Sequence, residues 1–416
     1  MVSVVEVVAP ARLGAGFRWL LASSWVSNIG DGIALAAGPL LVASQTDDPF
    51  LVAMAALLQR LPWLCFGLVA GAVADRVDRR LIVLTVDLLR AAVLASLAVT
   101  ISTERVNIAV VLVTMFLLGT AETFADVTTS TLMPMLVAKA DYGVANARLM
   151  GGVIVANQLA GPPIGAALFA AGAASPFVTQ AVCTALAALM VSRLAASPGS
   201  RAGDARRPVV HEIVEGIRWL WAHPPMRTLA LTIVSFNLTF GAAWSVLVLY
   251  ATDRLGMGEI GFGLLTTATA LGGLVGTGIY GLLTARASLA DIMRVGLIIE
   301  TLTHLALALT TTPWVALVVM FVFGMHAFVW GTTSTTVRQR AVPTGLQGRV
   351  GSVYMLGVYG GIVAGGATGG LIASGWGIVA PFWFGFVGSA LILTIIWRQL
   401  GHIAHADEAV VAAVAR

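Results

Sequence analysis

Charge is what this sequence has least of. Asp, Glu, Lys and Arg make up 11% of its 416 residues, against roughly a quarter in soluble domains, so the chain cannot solvate a surface of its own and lipid is implied as the solvent. Lysine occurs once, as Lys139, and no glycine-rich phosphate loop precedes it, which argues against an ATP-driven pump. Cysteine is nearly absent too. Cys65 and Cys183 lie inside apolar runs and read as packing residues, with no disulfide framework. The signatures of enzymes are missing: His211-Glu212 is followed by Glu215 where a zinc-binding helix needs a histidine, and there is no Gly-x-Ser-x-Gly elbow. No catalytic residue, metal or cofactor is therefore expected. A net charge of +4 comes without a basic stripe or interleaved aromatic platform, so nucleic acid is not an expected partner. No charged-apolar-small pattern ends in a cleavage site near the start, and the first span is expected to act as its own insertion signal.

What is abundant is apolar sequence, at 58% of residues, in runs of the roughly 20 residues that cross a bilayer as helix. Twelve spans are predicted, at about 18–43, 50–73, 81–101, 107–129, 146–170 and 175–194, then at 228–250, 260–283, 292–311, 313–336, 350–374 and 378–399. The basic residues support this layout. Twenty of the 24 fall in one set of alternate segments, the other set holds only Arg105 and Arg254, and Arg60 and Arg90 lie within spans. By the positive-inside rule both termini are cytoplasmic.

The expected architecture is thus an all-α membrane protein of two six-helix bundles, 1–194 and 228–416, the second ending in a short tail. A linker at 195–227 joins them. Its second part is amphipathic, with Val210, Ile213, Ile217, Leu220 and Trp221 on one face. It suits a helix on the inner leaflet and equally a helix packed on the cytoplasmic end of the bundle. The halves also look like repeats. Thr128-Thr129-Ser130-Thr131 returns as Thr332-Thr333-Ser334-Thr335. At a constant offset of 205, Val137, Met150, Gly152, Val153, Gly161 and Gly165 match Val342, Met355, Gly357, Val358, Gly366 and Gly370.

The loop after the second span reads Gly71-Ala-Val-Ala-Asp75-Arg76-Val-Asp78-Arg79-Arg80. It resembles the loop signature of the major facilitator superfamily, G-x-x-x-D-R-x-G-R-R, with Asp78 in place of the second glycine. A glycine there permits close helix approach, an acid can cap a neighbouring helix, and arginines can bridge to acids at the rim. The resemblance implies a cytoplasmic latch made of Gly71, Asp75, Arg76, Arg79 and Arg80, with Asp126 as a partner for Arg79. In the fifth span, Gly161-Pro162-Pro163-Ile164-Gly165 resembles the G-P-x-x-G element of the proton-coupled exporters of that superfamily. Proline breaks the helical ladder and glycine permits tight packing, so Gly161, Pro162 and Gly165 are expected to form a kinked seam between the halves. Ser27-Asn28-Ile29-Gly30-Asp31-Gly32, Glu215-Gly216-Ile217-Arg218-Trp219-Leu220-Trp221-Ala222-His223-Pro224, and Val342-Pro343 with Gly348-Arg349-Val350 resemble one branch, the drug:proton antiporters of macrolide-efflux and enterobactin-exporter type.

Ionisable groups within spans are costly and usually functional. Asp31 lies near the middle of the first span. Glu122 and Asp126 sit four apart on one face of the fourth. The resemblance places the first and fourth spans around a central cavity, so Asp31 and Glu122 are the expected proton-coupling residues, in the absence of the arginine that many drug exporters carry in the fourth span. Asp87/Arg90 and Glu300/His304 read as structural pairs along single helices. Asn237, Phe240, Trp244, His326 and Trp330 are expected to line the C-terminal side of the cavity and to stack on a bulky amphipathic substrate. The expected partners are protons, a small-molecule substrate and the bilayer of the cell inner (plasma) membrane, around a monomer. Two readings stay open in the same superfamily, an exporter and an importer of a small metabolite.

Overall fold

The computed structural model describes residues 11–138, 141–194, 209–343 and 346–404. Among them there is no strand. The helices are α1 (Gly14–Gln45), α2 (Pro49–Arg76), α3 (Arg79–Ser102), α4 (Ile108–Leu136) and α5 (Tyr142–Gly152). A π-helix, Val153–Ala160, then leads into α6 (Gly161–Ala171) and α7 (Ser175–Val191). After the linker come α8 (Val209–Ala222), α9 (Pro224–Trp244) and the short α10 (Leu247–Leu249), continued by a π-helical Tyr250–Arg254. The rest are α11 (Glu259–Arg286), α12 (Leu289–Leu309), α13 (Pro313–Ala341), α14 (Gln347–Trp376), α15 (Ala380–Ile396) and α16 (Gln399–Ala404). Among the described residues ten helices are long and apolar enough to cross a membrane, and α7 and α15 are shorter apolar helices. At 17 residues each they rise about 26 Å, at the lower end of what a span needs. Twelve apolar segments fall where the twelve spans were predicted. Leu89, Leu189 and Ile395 are well exposed, a pattern that lipid rather than water tolerates.

Residue contacts divide the chain into two compact units. The first comprises Met1–Asp47, Leu58–Ala205 and Gly258–Thr267; the second comprises Asp48–Leu57, Arg206–Met257 and Ala268–Arg416. The starts of α2 and α11 therefore group differently from the simple division at the linker. In the second unit Gly370 leaves room for Phe50 and Ala53, with a Cβ there falling 2.7 Å from Ala53 Cβ.

Each unit has its own core, and the cores are built alike. In the first, Phe17, Leu20 and Leu21 of α1 meet Val83, Leu132 and Val191. In the second, Met226, Leu229 and Phe236 of α9 meet Met293, Val337 and Ile396. The third helix of each unit is capped at its start by a side chain. Asp78 accepts from the Arg80 amide at 2.9 Å, and Ser288 accepts from the Asp291 amide at 3.1 Å. This explains Asp78 in a loop signature that elsewhere has glycine: the acid satisfies an otherwise orphaned helix N–H and suits the positive end of the helix.

A glycine seam recurs as well. A Cβ on Gly32 would sit 2.5 Å from the Asn157 carbonyl oxygen, and one on Gly241 would sit 2.5 Å from that of Ile362. Further along, Gly161 abuts Gly32 and Gly165 abuts the Ile33 carbonyl, while Gly365 abuts Gly241 and Gly369 abuts the Ala242 carbonyl. Asn157 and Ile362 keep the spacing of the sequence repeat. Past the π-helix the partner of Gly161 is Gly365 rather than Gly366, and that of Gly165 is Gly369 rather than Gly370. The π-helix holds one extra residue, which a constant offset cannot register. Pro162 and Pro163 lack the N–H groups that the preceding carbonyls need, and their rings crowd the turn before them. The wider turn absorbs both faults.

The amphipathic helix α8 is docked on the bundle of the second unit. Gly216 lies against the Arg349 backbone, Leu220 is buried, and Glu215 Oε2 accepts from Arg349 Nη1 at 2.9 Å. Val214, Ile217 and Trp221 remain exposed on its other side. Two sequence stretches that pointed to the same antiporter branch, Glu215–Pro224 and Gly348-Arg349-Val350, thus meet through Glu215 and Arg349.

Candidate functional site

The first unit holds a charged cluster built from four helices. Gly30 and Gly32 on either side of Asp31 admit close neighbours: a Cβ on Gly30 would lie 3.0 Å from Cys183 Cβ of α7, and Gly32 lies against the π-helix. The backbone that carries Asp31 is therefore held from both sides. Asp31 Oδ1 forms an ion pair with Arg90 of α3 and accepts from Gln180 Nε2 of α7 at 3.4 Å, while Oδ2 accepts from Ser27 Oγ at 3.2 Å. Arg90 and Asp87 are both buried and lie 3.4 Å apart along α3. The pair expected within one helix is present, and the sequence did not reveal that Arg90 also reaches across to Asp31.

Glu122, half-buried, and Asp126, exposed, complete the cluster from α4. Glu122 lies within Coulombic range of Asp31, Arg60 and Arg90. Asp126 lies within range of Glu122, Asp31, Arg90 and Arg60, which groups it with Asp31 and Glu122. Four carboxyl groups (Asp31, Asp87, Glu122 and Asp126) thus surround two guanidinium groups, Arg60 and Arg90.

Of the loop signature, Arg79 Nη1 approaches Met135 Sδ at 2.9 Å and Arg80 Nη2 donates to the Ser192 carbonyl just past the end of α7. Arginine there meets the negative end of a helix. The side chains at Gly71, Asp75 and Arg76 lie outside the described residues.

The fifth-span motif faces two ways. Gly161 and Gly165 seat against Gly32 and Ile33 of α1, whereas Gly263 of α11 packs on the Pro162 carbonyl and on Ala166, the latter 2.8 Å from where its Cβ would stand. All of these residues belong to the first unit. Gly161 and Gly165 thus join helices of the 1–194 half, while Pro162 and Ala166 meet Gly263, which by sequence lies in the 228–416 half.

In the second unit Phe240, Trp244 and Phe323 form an aromatic group, with ring centroids 4.5, 4.6 and 5.8 Å apart. Asn237, Phe240 and Trp244 are half-buried on α9, but His326 and Trp330 are buried, Trp330 as part of the core. Those two back the aromatic group rather than present an open face. His326 Nε2 lies 3.2 Å from Glu300 Oε2. The expected partner of Glu300, His304, is fully buried and meets Trp244 edge-on at 6.0 Å. Among the described residues neither His304 nitrogen has a hydrogen-bond partner. The helix α13 supplied a nearer imidazole than the next turn of α12.

A bundle of apolar spans in two like units, with charge buried among them, is the make-up of a membrane transporter. A model of the transmembrane secretion effector family matches residues 6–413, and the chain belongs to that family, within the major facilitator superfamily. It is 28% identical over 367 residues to the multidrug efflux pump Tap of Mycolicibacterium fortuitum, covering 86% of this chain and 87% of that protein. It is 26% identical to Tap of Mycobacterium tuberculosis strain H37Rv, covering 84% of this chain and 86% of the relative. Among solved structures, the nucleoside transporter NupG aligns with a TM-score of 0.70 at 13% identity, over 95% of this chain and 99% of that one, a likeness of fold.

Proposed function

We propose that this chain exports bulky amphipathic small molecules in exchange for protons, by alternating access. The observation that carries the reading is the cluster of four carboxyl groups around Arg60 and Arg90, centred on the Asp31–Arg90 ion pair. When Asp31 takes a proton it loses the charge that holds Arg90, and α1 and α3 lose a tie. Proton entry from one side and release to the other then bias two arrangements of the helices in turn. Asp31 and Glu122 carry the coupled proton. Substrate stacks on Phe240 and Trp244 with Asn237 offering hydrogen bonds, and His326 and Trp330 support that face from behind. Gly71, Asp75, Arg76, Arg79 and Arg80 form the cytoplasmic latch, which Asp126 links to the coupling acids. The protein works as a monomer in the plasma membrane, both termini in the cytoplasm. The name multidrug efflux pump carried by relatives of similar length supports the outward direction.

The test is transport in an efflux-deficient host and in proteoliposomes. Expression should lower drug accumulation, and collapse of the proton gradient should restore it; increased solute uptake would favour the importer. Asp31→Asn and Glu122→Gln should abolish gradient-driven efflux while leaving substrate binding measurable. Full proton-driven transport by both single variants would sink the assignment.

A further inference from the structure

The two units can be compared residue by residue through their shared contacts. Gly30 against Cys183 in the first becomes Thr239 against Gly388 in the second. Counting from the capping residues Asp78 and Ser288, Arg90 and Glu300 hold the same place on the third helix of each unit. By the same matching Asp31 corresponds to Phe240, and Gln180 to Gly385, each the acceptor for a hydroxyl one turn on, Thr184 or Ser389. The second unit has thus reversed the charge at this place on α12, and it lacks both the acid that pairs with Arg90 and the glutamine that donates to that acid.

What fills the vacated space is imidazole. Gly385 leaves room for His304, whose Nδ1 would stand 2.8 Å from a Cβ there, and Gly296 leaves room for His326, whose Nδ1 would stand 2.7 Å from one. His304 is 0% exposed and His326 4%. Among the described residues His326 Nδ1 and both His304 nitrogens lack partners, and only His326 Nε2 reaches Glu300.

Among the described residues no arginine shares this site. Asp291 and Arg294 pair with each other at 3.2 Å near the start of α12. Arg338 and Arg340 stand at the far end of α13, and Arg227 at the start of α9. The helix α15 carries no titratable side chain, and α16 brings His402 to the end of the bundle where α12 begins. Tyr250 donates its hydroxyl to the Leu307 carbonyl, 2.6 Å away. A buried carboxylate needs a compensating charge, and among the described residues the only candidates facing Glu300 are two imidazoles.

We propose that Glu300, His326 and His304 form a second proton-binding site, in the second unit and separate from the Asp31–Arg90 cluster. With both imidazoles neutral and Glu300 ionised, the site carries one negative charge, and the neutral His326 ring donates its Nε2–H to Glu300 Oε2. One added proton neutralises the site by binding His326 Nδ1 or a His304 nitrogen, each without a hydrogen-bond partner among the described residues. His304 touches Trp244 and His326 lies 6.2 Å from Phe323, edge-on, so proton occupancy is read by the aromatic group proposed to hold substrate. The inference rests on the transporter reading but not on Asp31 or Glu122 carrying the coupled proton.

The experiment is nitrogen NMR of the full-length protein labelled in its six histidine rings, with signals assigned by His304→Asn and His326→Gln. Should one variant not fold, the other assigns the pair by difference. The ring signals of His304 and His326 should change protonation as the pH is lowered, and Glu300→Gln should shift both. The same variant should move the pH midpoint of efflux by about one unit. Rings locked in one neutral tautomer throughout, or an efflux profile unmoved by Glu300→Gln, overturns the proposal. Asp31→Asn separates the two readings, because it should remove driven efflux yet leave the histidine titration intact.

Discussion

The first unit gathers fixed charge and the second gathers imidazole. Arg90 sits where Glu300 sits, counted alike from a capping residue, yet one anchors a cluster that arginines partly balance and the other, among the described residues, is faced only by groups that can lose their charge. The scaffold is shared down to the glycine contacts, so the difference lies in a handful of side chains. Two near-identical frames can carry opposite electrostatics because helix packing depends on small residues at the seam, not on the sign of the charge between helices.

Breaking the first side of that comparison should cost most. Arg90→Met leaves the buried Asp87 and the half-buried Asp31 without their guanidinium, and removing one member of a buried pair costs about 3–5 kcal/mol. Thermal unfolding in detergent should fall well below that of the wild type, while Asp31→Asn should fall far less. Equal losses from the two would mean Arg90 matters only to Asp31. The seam comes next. Gly165→Val and Gly369→Val press a side chain on the Ile33 and Ala242 carbonyls respectively, each at an overpacking cost of roughly 1–3 kcal/mol. If the units are truly alike the two should destabilise similarly, and Gly165→Val should also impair efflux or open an ungated proton leak followed with a pH dye. A smaller effect belongs to the caps. Asp78→Ala and Ser288→Ala should each cost about 1 kcal/mol, and Asp78→Gly only a few tenths; a stabilised Asp78→Gly would show that the acid serves something other than the helix start. Least of all, Glu215→Gln weakens a partly exposed pair with Arg349 worth about 0.2–1 kcal/mol, visible as faster proteolysis before α8 and not as lost transport.

Much of this was legible in the sequence, for reasons that differ by residue. The spans followed from apolar runs, and Asp31 and Glu122 stood out because an acid inside a span is rare. Arg90 looked satisfied, since Asp87 lies one turn away on the same helix, and nothing local signals a partner 59 residues distant. Glu300 misled in the same way: His304 on the next turn seemed sufficient, yet His326 on α13 lies closer. Gln180 gave no signal at all, being neutral in an apolar run. The proline pair in the fifth span did carry one, because two missing N–H groups deep in a helix require a wider turn before them. A count at constant offset passed over it.

That wide turn means the fifth span is governed by phase and not by length. An α-helix advances about 100° per residue, so an inserted residue would normally swing every later side chain off its face. Between Val153 and Ala160 the surplus is absorbed locally, and Gly161 and Gly165 still meet α1 as Gly365 and Gly369 meet α9. A chain lacking one residue there, Val155 for instance, would keep its glycines seated and lose only the loose turn that accommodates Pro162 and Pro163. The segment is slack in the fifth span, drawn in at one point so that the two ends of a single rod can each keep its own grip on α1.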